Sequence, residues 1–282
     1  VQQAYNAATS SLVNSIFTSR DGLIWSNTGV PPIGGAVELH SDGTKFIILD
    51  TAQYGPISAA SFKLWSSTNG ATWAATTVAL PARTAIASHS QAYSAQRLQI
   101  VNGKYLIQAL YNDTFAAQVG DPVYPAGYYS NGQAMLLYSS NFSTWASTVL
   151  ANNTSFDSYT VTSTVISYNT FGDIAFNGTS YFMTRGYTSS DGVPVPQTSG
   201  GTGTETFQYS ILTSTNLVSW GASYTGTAIS YPLPGGGTPP PVTPYSVIAC
   251  LGNRVCATGS SSGSTLFSPN VLLNYSVANE SA

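Results

Sequence analysis

Few side chains in this sequence could do acid–base chemistry, and only two stand at matching points of a repeat. Glu38 and Asp173 each lie five residues before a turn glycine, Gly43 after Leu39-His40-Ser41-Asp42 and Gly178 after Ile174-Ala175-Phe176-Asn177. The same position is Leu98 and Val247 in two further copies of that pattern. Two carboxylates facing one cavity at roughly 5–9.5 Å are the requirement for glycoside hydrolysis, one as acid and one as base or nucleophile. The same pair could hold a cation with channel waters. The plain alternative is two hydrated polar residues at a channel mouth.

The other candidates do not assemble. His40 and His89 have no spacing to each other, to a cysteine or to a carboxylate that makes a zinc site, so no metal or cofactor is expected. A Gly-x-Ser-x-Gly elbow is absent, and Gly200-Gly201-Thr202-Gly203 lacks the lysine of a phosphate loop. Cys250 and Cys256 flank a turn at Gly252-Asn253. They are either a cross-strand disulfide or two small apolar residues.

Any such residues would be positioned by two repeated hairpins. The first is an apolar strand, a glycine turn and a second apolar strand: 37–49, 98–107, 173–183 and 247–256. Asp-Gly and Asn-Gly between apolar runs are strong hairpin signals. The second is Ser-x-Asp/Asn-x-x-x-Trp, in Ser19-Arg20-Asp21-Gly22-Leu23-Ile24-Trp25 and Ser67-Thr68-Asn69-Gly70-Ala71-Thr72-Trp73. It returns in Ser139-Ser140-Asn141-Phe142-Ser143-Thr144-Trp145 and Ser214-Thr215-Asn216-Leu217-Val218-Ser219-Trp220. A worn fifth copy is Ser268-Pro269-Asn270 with Tyr275. Each copy follows an apolar run, which predicts strand, tight turn, strand. The Asp or Asn oxygen should fold back onto the turn's own N–H groups, with Ser adding a second local bond. The Trp should open the outgoing strand and pack its ring on its neighbours.

This second motif resembles the Asp-box (BNR) repeat of sialidase-like β-propellers, a repeat also found in non-enzymatic surface and bacteriophage tail proteins. The resemblance implies an all-β fold: a β-propeller of four-stranded antiparallel blades occupying residues 1–282 as one domain. The hairpins give blades at about 36–80, 97–150, 172–225 and 245–279, with a partial blade at 1–30, hence five blades. A sialidase-type site resembles an arginine cluster with a Tyr nucleophile and an acidic partner. Of Arg20, Arg83, Arg97, Arg185 and Arg254, the first lies inside an Asp box and the last beside a glycine turn, both on the wrong face. The Arg-Ile-Pro-like motif is missing too, since Val30-Pro31-Pro32-Ile33 has no Arg. The family's catalytic residues are therefore not carried over.

Both turn types fall at one end of each blade, so the long connections 50–61, 81–96, 112–133, 151–171, 188–206 and 222–244 should emerge as irregular loops at the other. Loops on a rigid scaffold carry function. The binding candidates there are Tyr111, Asp113, Asp121, Tyr124, Tyr128, Tyr129, Tyr187 and Tyr231. Each tyrosine offers an apolar face and a polar tip. The alternative is that these rings pack the loops onto the scaffold.

Composition narrows the setting. Charged residues are 7% and the net charge is −3, which gives no basic field for nucleic acid or an anionic membrane. No apolar run is long enough to span a bilayer. Val1 is not an initiator Met and no signal-peptide pattern follows it, so a processed chain or a piece of a longer one is expected. The chain reads as a non-enzymatic propeller on an extracellular or virion surface, such as a phage tail or capsid-decorating protein. Its expected partners are a host surface or neighbouring protein subunits. A secreted glycan-binding or glycoside-hydrolysing propeller is the alternative.

Overall fold

The computed structural model describes residues 2–6, 11–19, 21–29, 39–117, 127–158, 164–191, 204–226, 228–232, 247–251 and 254–258. Within them the fold is all-β. The strands are β1 (Gln2–Asn6), β2 (Ser11–Thr18), β3 (Ser26–Gly29), β4 (Leu39–Ser41), β5 (Phe46–Tyr54), β6 (Ser61–Ser67) and β7 (Ala74–Ala79). Then come β8 (Ser90–Val101), β9 (Lys104–Ala117), β10 (Gly127–Ser139), β11 (Ala146–Ser158), β12 (Thr164–Phe176) and β13 (Tyr181–Asp191). The last are β14 (Thr204–Ser214), β15 (Gly221–Thr225), β16 (Ile229–Pro232), β17 (Val247–Leu251) and β18 (Arg254–Thr258).

Four antiparallel sheets result. Strands β1-β2-β3 form one, β4-β5-β6-β7 a second and β17-β18 a third. The fourth is a long meander in chain order from β8 to β15, with β16 added to β14. Two compact units are distinguished: residues 1–85, 93–110 and 136–147 in the first, and 86–92, 111–135 and 148–282 in the second.

In the first unit the core combines a strand segment buried on both faces with strands buried on one. Ile47, Ile48, Leu49 and Asp50 are all buried in succession, whereas Phe62 and Leu64 alternate with less buried neighbours. A continuous apolar run marks a strand covered on both sides, and alternation one covered on a single side. In the second unit Ile174, Met183, Ile211 and Leu212 are buried. Here β12 carries a bulge: Gly172 and Asp173 are accommodated between the pairs Phe171↔Arg185 and Ile174↔Met183.

Two expectations are corrected. The described parts of the connections 112–133, 151–171 and 188–206 are strand: β9 to β14 extend well into them, and β11 pairs β12 from Thr154↔Ser167 to Asp157↔Thr164. Their Thr, Tyr, Ser and Asn residues suit extended backbone, but without an apolar alternation they read as loop. The backbone register of β17 and β18 sets Cys250 across from Val255 and Cys256 across from Ala249. The second concerns the tryptophans. Each of Trp25, Trp73, Trp145 and Trp220 does stand immediately before an outgoing strand, but none is buried, and Trp25 is 60% exposed. The buried members of the motif are its serine, at Ser67, Ser139 and Ser214, and the apolar fourth residue, Phe142 or Leu217.

The turn chemistry itself is as expected, four times over. Asp21 Oδ1 accepts from Leu23 N and Ile24 N, and Asn69, Asn141 and Asn216 repeat this with the equivalent pair of N–H groups at 2.8–3.0 Å. Ser19, Ser67, Ser139 and Ser214 donate their hydroxyls to the same oxygen. Each indole Nε1 donates to the carbonyl of the fourth residue. That fourth residue has positive φ in every copy: Gly22 75°, Gly70 74°, Phe142 66° and Leu217 65°. Burying Phe142 and Leu217 offsets a left-handed conformation that costs a non-glycine residue roughly 1–2 kcal/mol.

Candidate functional site: an aromatic ladder with a histidine–aspartate pair

Within the second unit, residues on β9 alternate strictly. Tyr111, Asp113, Phe115 and Ala117 turn inward to varying degrees, and Asn112, Thr114 and Ala116 are exposed. Period 2 places the first set on one face. Across from that face stands His89, one residue before β8, where Ser88 at φ 68° and a bond from His89 N to Ile86 O bend the chain. His89 Nδ1 lies 2.8 Å from Asp113 Oδ1. The imidazole stacks on Phe115 at 4.2 Å between centroids, and Phe115 stacks on Tyr129 of β10 at 4.9 Å. Three rings from three consecutive segments thus form a ladder with one carboxylate at its histidine end.

Hydrogen bonds fix the ladder's surroundings. Gln91 Nε2 donates to the Tyr111 hydroxyl, and Gln91 Oε1 accepts from Ile86 N. Thr114 Oγ1 donates to Ser90 O. The ladder is semi-enclosed: the side chains of His89 and Asp113 are 18% and 13% exposed. Asp113 occupies the Nδ1 of His89, which leaves Nε2 as the ring's remaining hydrogen-bonding atom. Among the described residues no side chain takes that nitrogen. The arrangement can therefore hydrogen-bond a ligand from His89 and offer ring edges and polar tips beside it. Among the described residues there is no cluster of metal-ligating side chains.

The structure sorts the candidates as follows. Asp113 and Tyr129 belong to the ladder. Tyr111 is buried and supports it, so that ring is packing. Tyr128 is 58% exposed and, as the neighbour of Tyr129 on one strand, points to the opposite face. Tyr187 lies on β13 beneath the Arg185 guanidinium, 5.4 Å from ring centroid to Cζ. The backbone of Tyr231 pairs with Glu205. Asp121, Tyr124, Glu38 and Asn270 lie outside the described residues, and with Glu38 goes the carboxylate pair; Asp173 sits half-buried at the β12 bulge. His89 and Phe115 are the residues the sequence reading missed. The available signal was the alternation Tyr111-x-Asp113-x-Phe115, which marks a strand running on through an expected loop.

Neither a scan of family models nor searches of curated proteins and of solved structures returned a match.

Proposed function

We propose that this chain is an Asp-box β-propeller that serves as a non-enzymatic surface protein, on a virion or outside a cell, and binds its partner through the His89–Asp113–Phe115–Tyr129 ladder. What supports the propeller is the recurrence of one turn, hydrogen bond for hydrogen bond, at the third hairpin turn of successive four-stranded groups. Strands β4 to β7 form one such group as a separate sheet. What supports a binding role is the ladder: it lies at the ends of the long strands remote from those turns, and it combines apolar rings with neutral hydrogen-bonding tips. The chain carries 7% charged residues, so steering by charge has little to work with. The partner is a surface glycan or a protein subunit of the same assembly.

The test compares wild type with Tyr129→Ala and Tyr128→Ala on a glycan array and on intact host-surface preparations at 50 and 500 mM NaCl. Tyr129→Ala should lose binding at both salt concentrations and Tyr128→Ala should keep it. Retained binding by a folded Tyr129→Ala variant would remove the ladder from the recognition surface. Hydrolysis of a glycoside by the purified wild-type chain would overturn the non-enzymatic part.

A further inference from the structure

We propose that Arg185 is the anchor of an anion site, and that it takes one carboxylate or sulfate group carried on an otherwise uncharged, hydrogen-bonding ligand. This is independent of the ladder. Arg185 stands mid-strand on β13, half-buried, with Phe171 and Ser210 across from it on β12 and β14. Its Nε donates to Asn169 Oδ1 at 2.8 Å. Asn169 cannot turn away, because its Nδ2 donates to both Asn152 O and Asn153 Oδ1, and its backbone N donates to Asn153 Oδ1 as well. Both amide side chains are buried, at 3% and 6% exposure. The guanidinium is thereby held from behind by two locked neutral groups.

The charge itself is left uncompensated. Among the described residues no carboxylate lies within ion-pair distance of Arg185, and no acceptor reaches its Nη groups; its only other contact of note is the Tyr187 ring. A carboxylate in place of Asn169 would have closed an ion pair inside the sheet. With an amide there, the full positive charge remains and the Nη groups keep their N–H donors. Together these make the end-on fork that donates to two oxygens of a carboxylate or sulfate. The ligand's total charge follows from the neighbours. The cross-strand partners Asn169↔Tyr187↔Gln208 and Phe171↔Arg185↔Ser210 bring amides, hydroxyls and rings to this face but no second cation. One cation balances one anion, so a phosphate dianion or a polyanion is a poor fit.

Titration calorimetry on the purified chain with glucuronate, methyl sulfate, inorganic phosphate and glucose tests this. Glucuronate, methyl sulfate or both should bind with 1:1 stoichiometry, the stronger of the two naming the group; phosphate should bind no better and glucose at least tenfold worse. Affinity should fall as NaCl rises. Arg185→Gln should lose at least tenfold, and so should Asn169→Asp, which supplies an internal partner and keeps the strand polar. Arg185→Lys, which keeps the charge but not the fork, should lose several-fold. Wild type that binds neither probe, or equal binding by a folded Arg185→Gln or Asn169→Asp variant, overturns the assignment. Since neither readout involves Tyr129, failure here leaves the ladder untouched.

Discussion

The Tyr105 hydroxyl donates to the Asp42 carboxylate at 2.6 Å, tying the start of β9 to the turn between β4 and β5. The same carboxylate's other oxygen accepts from Thr44 N, Thr44 Oγ1 and Lys45 N, so one side chain closes its own turn and fastens it to the next hairpin. Lys45 Nζ sits 3.6 Å from the centroid of Phe142, the buried fourth residue of a Trp turn, and Phe142 meets Tyr105 edge-on. Burial works to raise the Asp42 carboxyl, but the bonds from Tyr105, Thr44 and Lys45 outweigh it and hold the group well below the usual carboxylate range. Burial first, and then the bond to Asp42, pushes the Tyr105 phenol up to about 12.

The pH dependence follows from those two directions. A depressed carboxylate contributes stability that is present above its unfolded value near 4 and lost as pH falls below it. A raised phenol contributes stability that is full below about 10 and lost as pH climbs from about 10 to 12. Tyr105→Phe should lower stability by about 1 kcal/mol on the pH 5–9 plateau, the partial exposure of Asp42 keeping the figure modest. It should also flatten the alkaline limb. Thermal melts of wild type and variant at pH 7 and pH 11 decide it: an equal gap at both would mean the bond is not what titrates.

Asp21 and Asn69 make the same three side-chain bonds from the same oxygen, one charged and one neutral. The N–H groups of Ile24 and Leu23, and then the Ser19 hydroxyl, hold the Asp21 carboxyl below its ordinary value. Asn69→Asp should therefore fold normally and melt higher than wild type at pH 7, with the advantage disappearing as pH drops below about 4. A melting difference that does not change between pH 7 and pH 3 would contradict it.

Within the Trp turns the fourth residue should outweigh the tryptophan. Leu217 is 2% exposed, so Leu217→Ala should cost about 2–4 kcal/mol even though the left-handed strain remains. Trp25, 60% exposed, should lose less than about 1 kcal/mol when replaced by Ala. Urea denaturation of both variants gives the comparison, and the reverse order would return the ring to the core.

How far the sequence carried can be seen in these same residues. The turns were legible because Ser, Asp/Asn and Trp act locally: each bonds within three residues, and local chemistry survives in a one-dimensional pattern. The positive φ of Phe142 and Leu217 was not, since Gly22 and Gly70 announce it and a buried aromatic or leucine conceals it. Strand ends were missed where polar residues alternate with polar residues, as in β11 and β12. Pairings between segments, His89 with Asp113 or Asn153 with Asn169, depend on register, which no spacing along the chain encodes.

Gly132 shows how tightly β9 and β10 approach beside the ladder. A Cβ there would lie 2.8 Å from Tyr111 O and 3.0 Å from Asn112 Oδ1. The carbonyl belongs to a strand and cannot step aside cheaply, so Gly132→Ala should cost about 1–3 kcal/mol. Gly221 is the matched control, with nothing within 4 Å of the added atom. Gly221→Ala should be close to neutral. Equal melting temperatures for the two variants would show that β9 and β10 can part.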